Sequence, residues 1–178
     1  MTEFVLGGGC FWCLDAVFRR LRGVTHVESG YAGGSAPSPD YYSVAGGATG
    51  HAEVVRVKFD ETIIPEDTIL DIFFVVHDPT TLNRQGADIG PQYRSIMLFT
   101  DSKQQKTFET AKQRTQKLWS DPIVTEVKQL ETFYIAEEEE QNYFNKNPDA
   151  GYCQIVIAPK LAKARKKYEK WFKEGEDK

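Results

Sequence analysis

The chain has 178 residues, the length of a single domain, and a chain of this size buries roughly 70% of its unfolded surface, so it builds a core without staples. Lys and Arg number 22 against 26 Asp and Glu, a net charge of −4, which excludes a general nucleic-acid binder. No apolar run approaches the ~20 residues of a membrane span, and Met1 to Leu6 lack the basic region and apolar length of a signal peptide. The expectation is one domain over 1–178, soluble, cytoplasmic and monomeric.

In chain order, residues 3–6 read as a strand ending at Gly7-Gly8-Gly9. Phe11, Leu14, Phe18 and Leu21 then mark one face of a helix that stops at Gly23. Residues 24–31 read as a strand and 32–50 as a loop rich in Gly, Ser, Pro and Asp. Residues 51–59 alternate: His51, Glu53, Val55, Val57 and Phe59 share one face, Ala52, Val54, Arg56 and Lys58 the other. Pro65 to His77 reads as a helix, 78–94 as a long loop, and Ser95 to Phe99 as a strand. A helix capped by Asp101 or Ser102 turns Phe108, Ala111, Thr115 and Leu118 inward. Ile123 to Leu130 reads as a strand. The Glu137–Glu140 run reads as the acidic first turn of a helix over 137–146. Tyr152 to Ile157 is β-branched and strand-like, and a basic amphipathic helix closes the chain at about 160–173. This order predicts an α+β fold: a two-layer sandwich with helices packed on a mixed, mainly antiparallel sheet.

Three cysteines are present, Cys10, Cys13 and Cys153. An odd count argues against a disulfide framework, so the C-x-x-C pair is either redox-active or half a metal site. Zinc needs four ligands, and His26, His51, His77 and Cys153 are isolated in the sequence, so no metal is expected. The glycines turn strand into helix and put Cys10 at the helix N-terminus, where free amides and the dipole lower a thiol's pKa; Cys10 is the candidate nucleophile. Cys13, one turn on, either resolves an oxidised Cys10 or simply packs beside Phe11 and Leu14. Glu53 on an apolar face reads as a carboxyl with raised pKa, a general acid, or else as a strand-end residue turned to solvent. His51 suits positioning, and His26 and His77 look structural or exposed. The 78–94 loop offers Asp88 and Tyr93 as hydrogen-bond donors or acids, or is a rigid surface connection.

The segments GCFW (9–12), GYAGG (30–34), GHAE (50–53), HDPTTLNRQGADIGPQYRS (77–95) and NPDAGYC (147–153) together resemble the A-type peptide methionine-sulfoxide reductases. The resemblance implies a ferredoxin-like core, Cys10 as nucleophile, and Phe11 and Trp12 as the cage for the substrate S-methyl. It implies Glu53 as the acid protonating the sulfoxide oxygen, with Tyr41, Asp88 and Tyr93 around that oxygen. Cys153 falls where the family commonly carries a recycling cysteine and is the expected first resolving thiol, with Cys13 as the alternative. The implied substrate is methionine S-sulfoxide, free or in oxidised proteins, the implied reductant thioredoxin, and no cofactor is required. Two features depart from the pattern: Cys13 stands where glycine is frequent, and no further cysteine follows Cys153. Thiol–disulfide exchange by Cys10–Cys13 on proteins is the alternative enzyme reading, and a zinc-stabilised or redox-sensing module the non-enzymatic one.

Overall fold

The computed structural model describes residues 1–175. Its strands are β1 (Thr2–Gly7), β2 (Val24–Ala32), β3 (Ala52–Phe59), β4 (Arg84–Gln85), β5 (Asp88–Ile89), β6 (Ile96–Phe99), β7 (Glu126–Gln129) and β8 (Tyr134–Ile135). The α-helices are α1 (Phe11–Phe18), α2 (Tyr41–Ala45), α3 (Glu66–Val75), α4 (Ser102–Gln116), α5 (Tyr143–Lys146) and α6 (Ala158–Lys167). Six strands form one sheet in the order β7-β6-β1-β3-β2-β8, antiparallel throughout except for the parallel β6–β7 pair. Within it β1, α1, β2, β3, α3 and β6 run βαββαβ with β6-β1-β3-β2 adjacent, the ferredoxin-like arrangement.

The period-2 pattern of β3 places its two faces. Val55, Val57 and Phe59 join the main core under the helices, while Ala52 and Val54 join a smaller cluster with Val5, Ile96 and Leu98 on the opposite face. Phe4 meets both Phe59 and Phe108 edge-on at 5.0 Å, tying β1, β3 and α4 together. Each such fully buried side chain contributes roughly 1.5–3 kcal/mol. Helix α1 is buried on nearly all sides; even Asp15 is enclosed, its charge met by Arg19 at 2.6 Å. A helix apolar all round belongs at the centre of a fold, and α1 packs against β2, β3, α5 and α6.

Several expectations change. The 32–50 loop holds α2, started by a capping box in which Asp40 Oδ1 accepts the Ser43 amide at 2.7 Å. The 78–94 loop holds the β4–β5 ladder and a 3₁₀ turn over Pro91–Tyr93. Residues 137–146 are not one helix: a 3₁₀ turn at Glu138–Glu140 and the single turn of α5 are separated by an extended Gln141 and a left-handed Asn142. The Gln141 side chain bonds the Ser29 amide and carbonyl as a surrogate strand, which holds the chain open there. Cys153–Ile157 is a π-helix rather than a strand, with Cys153 and Ile157 buried at the i, i+4 spacing of a helix face. Leu118 lies past the end of α4 and is exposed. The terminal helix ends at Lys167, and a 3₁₀ turn then brings Phe172 back to pair with Leu21.

Candidate active site

The site begins at the β1–α1 turn. A Cβ on Gly8 would lie 2.8 Å from the His77 ring, and Gly9 sits at φ +82, so both positions need glycine. The chain is thereby turned so that Cys10 is the N-cap of α1 and Cys13 its third helical residue, with the Cys13 amide donating to the Cys10 carbonyl at 3.1 Å. N-cap and N3 side chains naturally meet, and here the Cys10 thiol is hydrogen-bonded to Cys13. Both are almost fully buried, and all three cysteines are free.

The expected low pKa of Cys10 is not what this environment produces. Burial pushes the Cys10 thiol well up, and the hydrogen bond to Cys13 and the Glu53 charge push it further; the Trp12 amide alone opposes them. Cys13 is instead held below its ordinary value, first by the Cys10 hydrogen bond, then by Lys160 and Tyr152. The helix N-terminus is a smaller influence than loss of water and the neighbouring acid.

Glu53 stands opposite Tyr31 in the β2–β3 register and points under the start of α1, where its Oε1 accepts the Phe11 amide at 3.1 Å. It is 2% exposed, and burial raises its pKa to about 8 against the pull of that amide, with Asp88 and Glu140 raising it further. Burial thus favours its neutral, proton-carrying form over the carboxylate. Glu53 and Cys10 both bear on Tyr41 and Tyr93, whose phenols are pushed up chiefly by burial, Tyr41 to about 12. Asp88 accepts the Tyr152 hydroxyl at 2.6 Å. Phenols that stay protonated are donors for an oxygen developing negative charge.

Trp12 is the partly exposed residue of α1. Its ring stacks on Tyr143 at 3.7 Å, lies parallel to Tyr41 at 6.2 Å, and meets Tyr152 edge-on at 5.7 Å. Phe11 is fully buried beneath, against Trp12 and Tyr31. The acidic run has a different part from the one its composition suggests. Glu140 accepts the Trp12 indole N–H at 2.9 Å, and Glu137 accepts the Tyr31 hydroxyl and the Tyr41 amide, each at 3.0 Å. These contacts, Tyr152–Asp88, and Lys160 with Nζ 3.9 Å from Cys13 Sγ were beyond the sequence reading; only the aromatic residues flanking the acidic run hinted at any of them.

Cys153 is completely buried at the start of the π-helix, its thiol pushed up by burial and then by Cys13. His51 positions its neighbours, accepting the Gly34 amide at Nδ1 and bonding the Ala36 carbonyl through Nε2 at 2.7 Å. His77 is buried and bonded to Phe73 and Ser95, whereas His26 is exposed. Among the described residues no group of three or more His, Cys, Asp or Glu is disposed to hold a metal ion. No described helix is long and apolar enough to cross a membrane.

Together these features place two buried thiols at the start of α1 beside a buried carboxyl with a raised pKa. The family model described as peptide methionine sulfoxide reductase matches residues 2–172. A peptide methionine sulfoxide reductase MsrA of Paenarthrobacter aurescens is 63% identical over 171 residues, 96% of this chain and 98% of the relative. Among solved structures, reduced Mxr1 from Saccharomyces cerevisiae matches with a TM-score of 0.79 and 35% identity, over 85% of this chain and 88% of that one. Mxr1 in complex with Trx2 matches with a TM-score of 0.56 and 25% identity, over 80% of this chain and 84% of that one. The chain belongs to the peptide methionine sulfoxide reductase family. Its reaction is the reduction of methionine sulfoxide to methionine.

Proposed function

We propose that the whole chain works as one protein-repair unit in the reducing cytoplasm, taking the S epimer of methionine sulfoxide, with Cys10 as nucleophile and Glu53 as acid. The observation that carries this reading is the buried Glu53 carboxyl seated on the amide of Phe11, the residue next to Cys10, where burial raises its pKa toward the proton-carrying form. The substrate S-methyl packs on Trp12, with Phe11 as the buried support, and the sulfoxide oxygen faces Glu53, Tyr41 and Tyr93, with Asp88 behind Tyr152.

The Cys10 proton passes along its hydrogen bond to Cys13, and the thiolate attacks the sulfoxide sulfur. Glu53 gives its proton to the oxygen. The sulfoxide sulfur gains two electrons and leaves as methionine; Cys10 loses two and becomes a sulfenic acid. Cys13 then attacks the Cys10 sulfur: the S–O bond breaks, an S–S bond forms, and water leaves. The contact between Cys10 at the N-cap of α1 and Cys13 in its first turn favours Cys13 over Cys153 as the first resolving thiol. Cys153 is the next thiol behind Cys13 and suits a second exchange. Thioredoxin returns the enzyme to its dithiol form by exchange, a partner suggested by the likeness to Mxr1 in complex with Trx2.

The test is turnover coupled to thioredoxin, thioredoxin reductase and NADPH, with separated S and R epimers of a methionine sulfoxide peptide. NADPH consumption with the S epimer alone supports the reading. Equal rates with both epimers, or none with either, would overturn it.

A further inference from the structure

We propose that Lys160 serves the second half of the reaction: its ammonium holds Cys13 as the thiolate that closes the disulfide with oxidised Cys10. This rests on the reading of Cys13 as the first resolving thiol. Lys160 enters from the far end of the chain, in the first turn of α6, and its Nζ lies 3.9 Å from Cys13 Sγ. Cys13 is 1% exposed, so water does little to stabilise a charge on its sulfur.

The other groups that bear on that sulfur are Cys10 and Tyr152, which hydrogen-bond to it, and Asp88, Glu53 and Cys153, which oppose or compete for negative charge. Lys160 supplies the positive charge among them. On its other side Lys160 lines an open cavity of about 560 Å³, shared with Phe74, His77, Trp119 and Lys163. Lys160 is thus a half-buried residue with the thiol on one side and the open cavity on the other. None of the groups around the sulfoxide oxygen needs Lys160.

The step assigned to it is balanced. Cys13 first releases to solvent the proton it took from Cys10; Cys10–SOH and the Cys13 thiolate then give the Cys10–Cys13 disulfide and hydroxide, which takes a proton back from solvent and leaves as water. The two electrons came from Cys10 in the first step, so no outside oxidant enters. A cation beside Cys13 also suits the reverse direction, where reduction releases the same thiolate.

The experiment is a single turnover with one equivalent of methionine sulfoxide peptide and no reductant, from pH 6 to pH 10. Methionine formation and loss of the Cys10 sulfenic acid are timed separately, the latter by quenching with dimedone. The wild-type disulfide is mapped by mass spectrometry after acid trapping. In Lys160→Met, closure at pH 7 should slow about tenfold more than methionine formation, and the midpoint of its pH profile should move up by about one unit, a tenfold change in thiolate fraction per unit. Closure should approach the wild-type rate at high pH, and Lys160→Arg should restore most of the rate at pH 7. A Cys10–Cys13 bridge with an unshifted profile in Lys160→Met would overturn the role of Lys160 alone. A Cys10–Cys153 bridge as the first product in wild type would overturn both that role and the order of resolution. Global loosening of the fold would slow closure without moving its pH midpoint, and that result too counts against Lys160.

Discussion

Glu53 and Phe11 are joined by a hydrogen bond of 3.1 Å from the Phe11 amide to the Glu53 carboxyl, which links the middle strand of the sheet to the first residue of α1. One contact thus caps the helix that carries the cysteines and fixes the acid beside them. Burial raises the pKa of that carboxyl to about 8, toward the protonated form a general acid needs.

Glu53→Gln keeps the shape and loses the transferable proton. The reduction step should fall by roughly 10²–10⁴, the usual range for a lost general acid. Wild-type single-turnover reduction should decline as pH rises through about 8, and the variant should lose that decline. Folding favours the protonated form, so the contribution of Glu53 to stability is full below the ordinary value of 4.5 and is lost as pH rises through about 8. Glu53→Gln should therefore raise Tm at pH 9 relative to wild type and not at pH 4. Thermal melts at the two pH values, alongside quenched-flow methionine formation, check both halves.

Trp12 carries the partly open aromatic face of the site, held by Glu140 at 2.9 Å and by Tyr143 at 3.7 Å. Contacts between a thioether sulfur and an aromatic ring are worth roughly 0.3–1.5 kcal/mol each, so Trp12→Ala should lower kcat/KM for sulfoxide peptides several-fold. Trp12→Phe, which keeps a ring but not the indole donor, should lose less. Alkylation of Cys10 by iodoacetamide should continue in both. Unchanged kcat/KM in folded Trp12→Ala would remove Trp12 from substrate binding.

Glu137 holds Tyr31 and Tyr41 together, each at 3.0 Å. Glu137→Ala leaves the Tyr31 hydroxyl, on a fully enclosed residue, without its acceptor, and an unsatisfied buried group costs roughly 1–3 kcal/mol. Urea denaturation should show a lower midpoint at unchanged slope, with reduced turnover because the Tyr41 backbone is no longer held. A wild-type midpoint would contradict this.

His77 is buried with Nδ1 2.6 Å from the Phe73 carbonyl and Nε2 2.7 Å from Ser95 Oγ, and burial pushes its pKa down to about 4. The unfolded chain takes up the proton near 6.5 and the folded one only near 4, so stability present above 6.5 is lost as pH falls to 4. At about 1.4 kcal/mol per unit, the loss is on the order of 3 kcal/mol. His77→Gln should flatten that window in urea unfolding experiments. An identical slope in both proteins would mean that His77 titrates normally.

The parts of the site that rest on local patterns were legible in the sequence. Three glycines before a helical period announced the turn at Cys10, and strict alternation over 51–59 turned Glu53 inward. What tertiary packing alone creates was not legible. Trp12 and Glu140 are 128 residues apart and Cys13 and Lys160 are 147 apart, and no local period encodes either pair. Cys153–Ile157 misled because a β-branched run suits a strand and a buried helix turn alike, and the i, i+4 burial of its ends appears only once α6 follows on from it. The Cys10 pKa misled for a related reason: the helix N-terminus is local, whereas the enclosing core and the Glu53 charge arrive from elsewhere in the chain.

The most direct measurement of the central claim compares wild type with Cys10→Ser in a single turnover, using one equivalent of methionine S-sulfoxide peptide and no added thiol. Wild type should release one equivalent of methionine peptide and lose two free thiols, while Cys10→Ser should release none; Cys13→Ser and Cys153→Ser should each still release one equivalent. Stoichiometric methionine from folded Cys10→Ser would contradict the assignment of Cys10 as the atom that attacks the sulfoxide.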